Sequence, residues 1–162
     1  MKVRQKPSFL RFITASAVDK LTALEAVLEL AIARINTFGT ARHFTSLMGE
    51  LEGRPISADQ PQQVRAARIG YIVAQTARLM PFRCVCLQQV LASRRMLRRR
   101  HIPATVYLGI LPDEMPGADQ TIDPARDTLP GSTAHAWIKS GNRVVNGETK
   151  DLENYVVVGV FS

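Results

Sequence analysis

Residues 86–110 read CLQQVLASRRMLRRRHIPATVYLGI, and the period of their apolar residues changes part-way along the stretch. The first half predicts a helix that begins near Cys86, and its C-terminal arginines suit the negative end of the helix dipole. After residues 102–104, the run TVYLGI is short, β-branched and apolar, which is typical of a buried strand. The apolar face of the predicted helix consists of Leu87, Val90, Leu91 and Leu97.

Upstream of this stretch, two segments have helical periodicity. Residues 21–35, LTALEAVLELAIARI, predict an amphipathic helix capped by Asp19, and we expect its apolar stripe to lie in the core, the alternative being a groove for a partner. Residues 61–80 predict a second helix with a proline in its first turn, and a shorter helical piece is expected around residues 42–48. The stripe of the first helix consists of Leu21, Leu24, Val27, Leu28, Ala31, Ile32 and Ile35.

Downstream, the pattern is that of strands. Residues 111–133 hold four Pro, two Gly and five acidic residues, which predicts a long irregular loop. Two apolar runs joined by residues 140–142, Ser-Gly-Asn, then predict a β-hairpin, and YVVVGVF at 155–161 predicts a last strand. Helices followed by antiparallel strands indicate an α+β fold.

The charge is unevenly distributed along the 162 residues. Residues 1–101 carry 17 Lys and Arg against 6 Asp and Glu, whereas residues 102–162 carry 4 against 8, so the net charge of +7 combines +11 with −4. A basic first part leaves open a non-catalytic module that binds an acidic partner or a polyanion. Nucleic acid is not the expected partner, because no nucleic-acid motif is present and aromatic residues make up only 6% of the chain.

Two residues suggest thiol chemistry. Cys86 is predicted at a helix N-terminus, where unpaired N–H groups favour a thiolate, and a nucleophilic Cys needs a His supplied by the fold. His135 lies on a predicted strand between small residues, whereas His43 and His101 have polar, basic surroundings. The alternative is that Cys86 is an inert buried thiol and His135 only a hydrogen-bonded strand residue.

Metal and disulfide chemistry are not expected. Cys84 and Cys86 have one residue between them, which is too tight for an unstrained bridge and atypical of zinc sites, and a fourth zinc ligand is not evident. No membrane-spanning segment or clear signal peptide is seen in the sequence, so we expect a cytoplasmic protein without metal or organic cofactor.

The motifs together resemble the transglutaminase-like leader peptidases of lasso peptide biosynthesis. The resemblance is carried by Cys86-Leu87 at a helix start, by MLRRRHIPATVYLGI at 96–110 and by AHAWIKSGNRVVNG at 134–147. It implies a papain-like Cys-His-Asp peptidase, with Cys86 as nucleophile and His135 as general base. The family's Asp position holds Gly147 here, so we expect Asn146 to be the third catalytic member, with Glu148 in reserve.

The resemblance also implies partners and an organisation of the chain. The substrate would be the leader of a ribosomally made precursor peptide, delivered by a small leader-binding protein, and a lasso cyclase would close the ring. We expect one compact domain in which residues 81–162 form the transglutaminase-like catalytic core. Residues 1–80 would form an N-terminal helical region that offers a docking surface. The family's Arg three residues after the Cys is Gln89 in this chain.

Overall fold

The computed structural model describes residues 16–37, 55–111 and 134–162. Three helices come first and four strands follow, as the sequence predicts. The helices are α1 (Ala17–Thr37), α2 (Gln60–Ala77) and α3 (Cys86–Arg99), and the strands are β1 (Thr105–Ile110), β2 (His135–Ser140), β3 (Arg143–Asn146) and β4 (Val156–Phe161), with a 3-10 turn at Leu152–Asn154 before β4. The helical piece predicted at 42–48 and most of the predicted loop, at 112–133, lie outside the described residues.

The first helix begins earlier than predicted. Ser16, not Asp19, accepts the first-turn bond, because the Asp19 N–H donates to the Ser16 hydroxyl at 3.2 Å. That hydroxyl in turn donates to the Asp19 carboxylate at 2.9 Å, so the two side chains close the helix end together. The Asp19 carboxylate also accepts two hydrogen bonds from Arg68, which ties α1 to α2.

The second helix has a complete capping box. The Gln62 N–H donates to the Asp59 carboxylate at 2.7 Å, and the Asp59 N–H donates to the Gln62 side chain at 3.0 Å. Pro61 lies in the first turn as predicted, where its missing N–H has no intrahelical partner to lose. The helix ends at Ala77 rather than at Met80.

Arginines at the end of α3 bind the carboxylates of α1. Arg99 and Arg100 both donate to Glu25, and Arg95 and Arg99 reach the buried Glu29. The hydrogen bond from Arg100 is the main reason that the pKa of Glu25 lies below its usual value. This part of the arginine cluster therefore holds two helices together, as well as facing solvent.

The four strands form one antiparallel sheet in the order β3-β2-β1-β4. Gly141 adopts a φ of 55° in the β2–β3 turn, which confirms the predicted hairpin. Helices α2 and α3 pack on one face of the sheet, where Val106, Ala136 and Ile138 join the core, and α1 packs on these two helices. The first strand lies in the middle, so it pairs with both β2 and β4.

The apolar stripe predicted to fill the core from α1 is on the other side of the helix. Leu21 is 68% exposed and Ile35 is 71% exposed, so the prediction of a buried stripe is wrong. The buried face of α1 combines three alanines with one large apolar residue and two polar ones: Ala23, Ala26, Ala33, Leu30, Thr22 and Glu29. Small side chains let α1 lie close to α2 and α3, and the large side chains are left outside.

Candidate active site

Cys86 is the first residue of α3. Val85 before it is extended, with φ −72° and ψ 165°, and the Val85 N–H donates to the Gln88 side chain at 3.2 Å. The thiol therefore lies at the positive end of the helix dipole, and the Leu87 N–H donates toward the sulfur. The local sequence positions a thiol where a thiolate is stabilised.

His135 is the first residue of β2, and the sheet brings its ring to Cys86. The imidazole forms a hydrogen bond with the Cys86 thiol, and the N–H of the neighbouring Ala136 also donates toward the sulfur. On the other side, His135 pairs with Gly109 of β1. The structure thus brings together the two residues that the sequence singled out for thiol chemistry.

The pKa values of the pair move in opposite directions. Burial is the largest single influence on the Cys86 thiol and raises its pKa, but the hydrogen bonds from His135, Ala136 and Leu87 outweigh it, so the pKa is lowered. The pKa of His135 is raised, first by its hydrogen bond to Cys86, although burial opposes this, and then by the Gly147 carbonyl. Both shifts favour a thiolate beside an imidazolium.

The second ring nitrogen of His135 has a backbone partner. Its Nε2 lies 2.7 Å from the carbonyl oxygen of Gly147. Because a carbonyl oxygen only accepts, Nε2 carries a proton, and the tautomer assigned in this way leaves Nδ1 for Cys86. Gly147 has a φ of 77°, and a Cβ there would overlap the Ala136 carbonyl oxygen, so only glycine fits comfortably in this position.

The structure does not bring the Asn146 side chain to the imidazole. Its Nδ2 donates to the Gly70 carbonyl and to the Ser93 hydroxyl, both at 3.3 Å, and its Oδ1 accepts from the Gly147 N–H at 2.7 Å. The Asn146 side chain therefore has no hydrogen bond to the imidazole, but it accepts one from Gly147, the residue whose carbonyl faces His135. Glu148 is exposed, beside a surface groove between α2 and β3.

Among known proteins, the family model described as the Transglutaminase-like superfamily matches residues 30–120, more than half of the chain. The chain belongs to the transglutaminase-like superfamily. The superfamily includes cysteine peptidases and acyltransferases. The matched segment contains Cys86 and ends before His135. No curated protein and no solved structure matches the chain significantly.

The transglutaminase-like core surrounds the imidazole with aromatic rings that sequence reasoning did not assign to the site. Tyr155 and Trp137 have ring centroids 5.3 Å and 6.2 Å from that of His135. Tyr107 stacks on Trp137 at 5.6 Å. A Cβ at Gly109 would lie 2.9 Å from Trp137 and from Tyr155, so this glycine makes room for the rings. Tyr155 and Trp137 therefore pack beside the ring of His135.

Cys84 has a different environment from Cys86. Both are free thiols, but burial is the main influence at Cys84 and raises its pKa. Its backbone carbonyl accepts a hydrogen bond from the Gln89 side chain at 3.0 Å. The peptidases that the chain resembles have Arg at the position of Gln89. Here Gln89 holds the segment that precedes the Cys86 thiol. Cys84 also lines a cleft of about 420 Å³ at the end of α2.

Within residues 16–37, 55–111 and 134–162, no three His, Cys, Asp or Glu side chains cluster as ligands for a metal ion. Among the same residues, no helix has the length and apolar character needed to cross a bilayer.

Two backbone groups at this site, the Gly147 carbonyl and the Ala136 N–H, have no signal in the sequence. Every residue has a backbone carbonyl and nearly every residue an N–H, so residue types do not show which of them faces a side chain. The Asn146-Gly147 pair does signal a turn, which is the one clue to the backbone conformation there.

Proposed function

We propose that the protein is a cysteine peptidase that removes the leader from a ribosomally synthesised lasso precursor peptide. One observation carries the peptidase part of the proposal. The thiol of Cys86, at a helix N-terminus, is hydrogen-bonded to His135, whose other nitrogen faces a carbonyl. This is the arrangement of an activated nucleophile, a base and an orienting group.

The proposed reaction has two stages. The Cys86 thiolate attacks the scissile carbonyl carbon, and the imidazolium of His135 gives its proton to the leaving amine as the peptide bond breaks. The leader remains attached to Cys86 as a thioester. Water then attacks the thioester carbon while His135 takes a proton from it, and the thiolate leaves as the leader carboxylate forms. The N–H of Cys86 is the proposed donor to the oxyanion in both stages.

The third catalytic role, the orientation of the His135 ring, is assigned to the backbone rather than to a side chain. We assign the orientation of His135 to the Gly147 carbonyl, which lies 2.7 Å from Nε2. Asn146 becomes a positioning residue, because its side chain holds the Gly147 N–H and is itself anchored to α2 and α3. Glu148, the reserve assignment, is exposed.

The substrate and partners rest on the resemblance to the lasso leader peptidases. The supporting motifs are Cys86-Leu87 at the start of α3, the segment at 96–110 from the end of α3 through β1, and the segment at 134–147 that contains the β2–β3 hairpin. On this basis a leader-binding protein presents the precursor by docking on residues 1–80, and a lasso cyclase acts on the released core peptide.

The test is cleavage of the precursor peptide encoded beside this chain's gene, in the presence of the neighbouring leader-binding protein. We expect mass spectrometry to show two products that together contain one added water. Cys86→Ala and His135→Ala should abolish cleavage with unchanged circular dichroism, whereas the control Cys84→Ala should retain it.

Two results would contradict different parts of the proposal. Cleavage that persists in Cys86→Ala would rule out the thiol mechanism. A product in which the leader is joined to an amine instead of gaining a hydroxyl would indicate acyl transfer, the other activity found in the superfamily. A gene neighbourhood with no short precursor would remove the lasso assignment and leave the thiol chemistry in place.

A further inference from the structure

Helix α1 has a second apolar face that nothing among the described residues covers. The residues on it are large, and their exposed fractions run from 38% to 71%. They are Val18, Leu21, Leu24, Val27, Leu28, Ile32 and Ile35, which we call the outer face of α1. The opposite side packs on α2 and α3 through three alanines together with Thr22, Glu29 and Leu30. A helix that faced only water on this side would gain nothing from such side chains.

The size of the outer face matches a protein interface. Its exposed side chains amount to on the order of 700 Å², which exceeds the largest apolar patch of a typical monomer and approaches the area that each partner contributes to a standard interface. A scattered surface leucine needs no explanation, but seven contiguous large residues on one helix do.

The acidic side chains beside the outer face are already neutralised within the molecule. Asp19 is paired with Arg68, Glu25 with Arg99 and Arg100, and Glu29 with arginines of α3. No acidic side chain of α1 is therefore left to select a basic partner, and the face offers apolar contact alone. This favours a partner surface that is itself apolar.

The spacing of the outer face is symmetric. Counted from Leu28, its central residues lie at −7, −4, +4 and +7, at Leu21, Leu24, Ile32 and Ile35. If a second copy of α1 runs antiparallel with a two-fold axis near Leu28, each of these residues meets a large apolar residue of the other copy. Such self-complementarity is what an isologous two-fold interface requires.

We propose that the outer face of α1 is a homodimer interface, in which two copies of the chain pair antiparallel about Leu28. The interface uses neither Cys86 nor His135, so this proposal is tested independently of the proposed peptidase activity. Each copy carries a net charge of +7, so mutual repulsion opposes the dimer, and added salt should strengthen it.

Sedimentation equilibrium of the full chain tests the proposal. We expect a mass of twice 17.9 kDa that becomes more populated between low and moderate salt. Leu28→Glu should reduce the mass to that of one chain, whereas the matched control Val64→Glu, at an exposed apolar residue of α2, should leave the dimer intact. A parent protein that is monomeric throughout a range up to 100 µM would overturn the proposal.

Cysteine cross-linking tests the geometry. Under mild oxidation, Leu28→Cys should form a disulfide with its copy, detected by non-reducing electrophoresis and peptide mapping, beyond the baseline set by the native Cys84 and Cys86. Leu21→Cys alone should not cross-link, but Leu21→Cys combined with Ile35→Cys should. Efficient cross-linking of Leu21→Cys alone would indicate parallel pairing. If no variant cross-links, another occupant covers the outer face, such as a different segment of this chain or a companion protein. Either result would contradict the proposal.

Discussion

At the scale of single residues, a backbone carbonyl faces His135 in this chain, in place of the side chain expected from the peptidases that the chain resembles. The leader peptidases that the chain resembles usually place an Asp where this chain has Gly147, whose carbonyl lies 2.7 Å from Nε2. A carbonyl aligns the ring but carries no full negative charge. The imidazolium therefore depends for its stability mainly on the Cys86 thiolate, which is the first cause of the raised pKa of His135.

Replacing Asn146 by Ala should release the backbone that faces His135. Since a displacement of about 1 Å in a catalytic group costs on the order of 100-fold in rate, we expect kcat to fall by about that factor with little change in KM. The Gly147 carbonyl helps to raise the pKa of His135, so its displacement should lower that pKa and move the alkaline limb of the pH–rate profile to lower pH.

The matched control for this variant is Asn142→Ala, in the exposed β2–β3 turn, which should leave both rate and pH profile unchanged. If instead Glu148→Ala lowers the rate and Asn146→Ala does not, Glu148 is the residue that orients His135.

The residue types of the site were predictable, because periodicity places Cys86 at a helix start and His135 on a strand. The carbonyl was not, because its direction depends on the φ of 77° at Gly147.

At the scale of elements, periodicity predicted each described helix and strand but not which apolar face of α1 is buried. The helix has apolar residues on two sides, and the larger ones look like core in a sequence. Close approach of α1 to α2 and α3 selects the alanine side instead, because bulkier residues would hold the helices apart. Helix existence is a local property, whereas the choice of face depends on the neighbours.

The contact between α2 and β3 depends on Gly70, whose carbonyl also anchors Asn146. A Cβ at Gly70 would overlap the Val145 carbonyl oxygen. Gly70→Ala should improve helix propensity by up to about 1 kcal/mol, yet we expect net destabilisation of about 1–3 kcal/mol, because the overlap pushes the helix off the sheet. Urea unfolding measures the change, and Val64→Ala on the exposed side of α2 should shift stability by less than about 0.5 kcal/mol. Equal free energies of unfolding for the parent and Gly70→Ala would contradict this expectation and show that the contact between α2 and β3 accommodates the added methyl group.

At the scale of the whole molecule, the arginine cluster at the end of α3 is less available to a partner than the sequence suggests, although the net charge stays +7. Arg95, Arg99 and Arg100 bind Glu25 and Glu29. Their pairing weakens the case for a module that binds a polyanion through the arginine cluster. The total charge follows from the composition, but its pairing depends on how α1 and α3 pack, which the sequence does not show.

The rate of thiol alkylation tests the proposed thiolate–imidazolium pair of Cys86 and His135 without any knowledge of the substrate. Iodoacetamide labelling of the folded protein, resolved by mass spectrometry into Cys84 and Cys86, is measured from pH 4 to pH 10. The lowered pKa of Cys86 predicts labelling at lower pH than for an ordinary thiol, and the raised pKa of Cys84 predicts labelling at higher pH. His135→Ala should move the Cys86 profile to higher pH. Profiles for Cys84 and Cys86 that coincide, or a Cys86 profile unaffected by His135→Ala, would contradict the account.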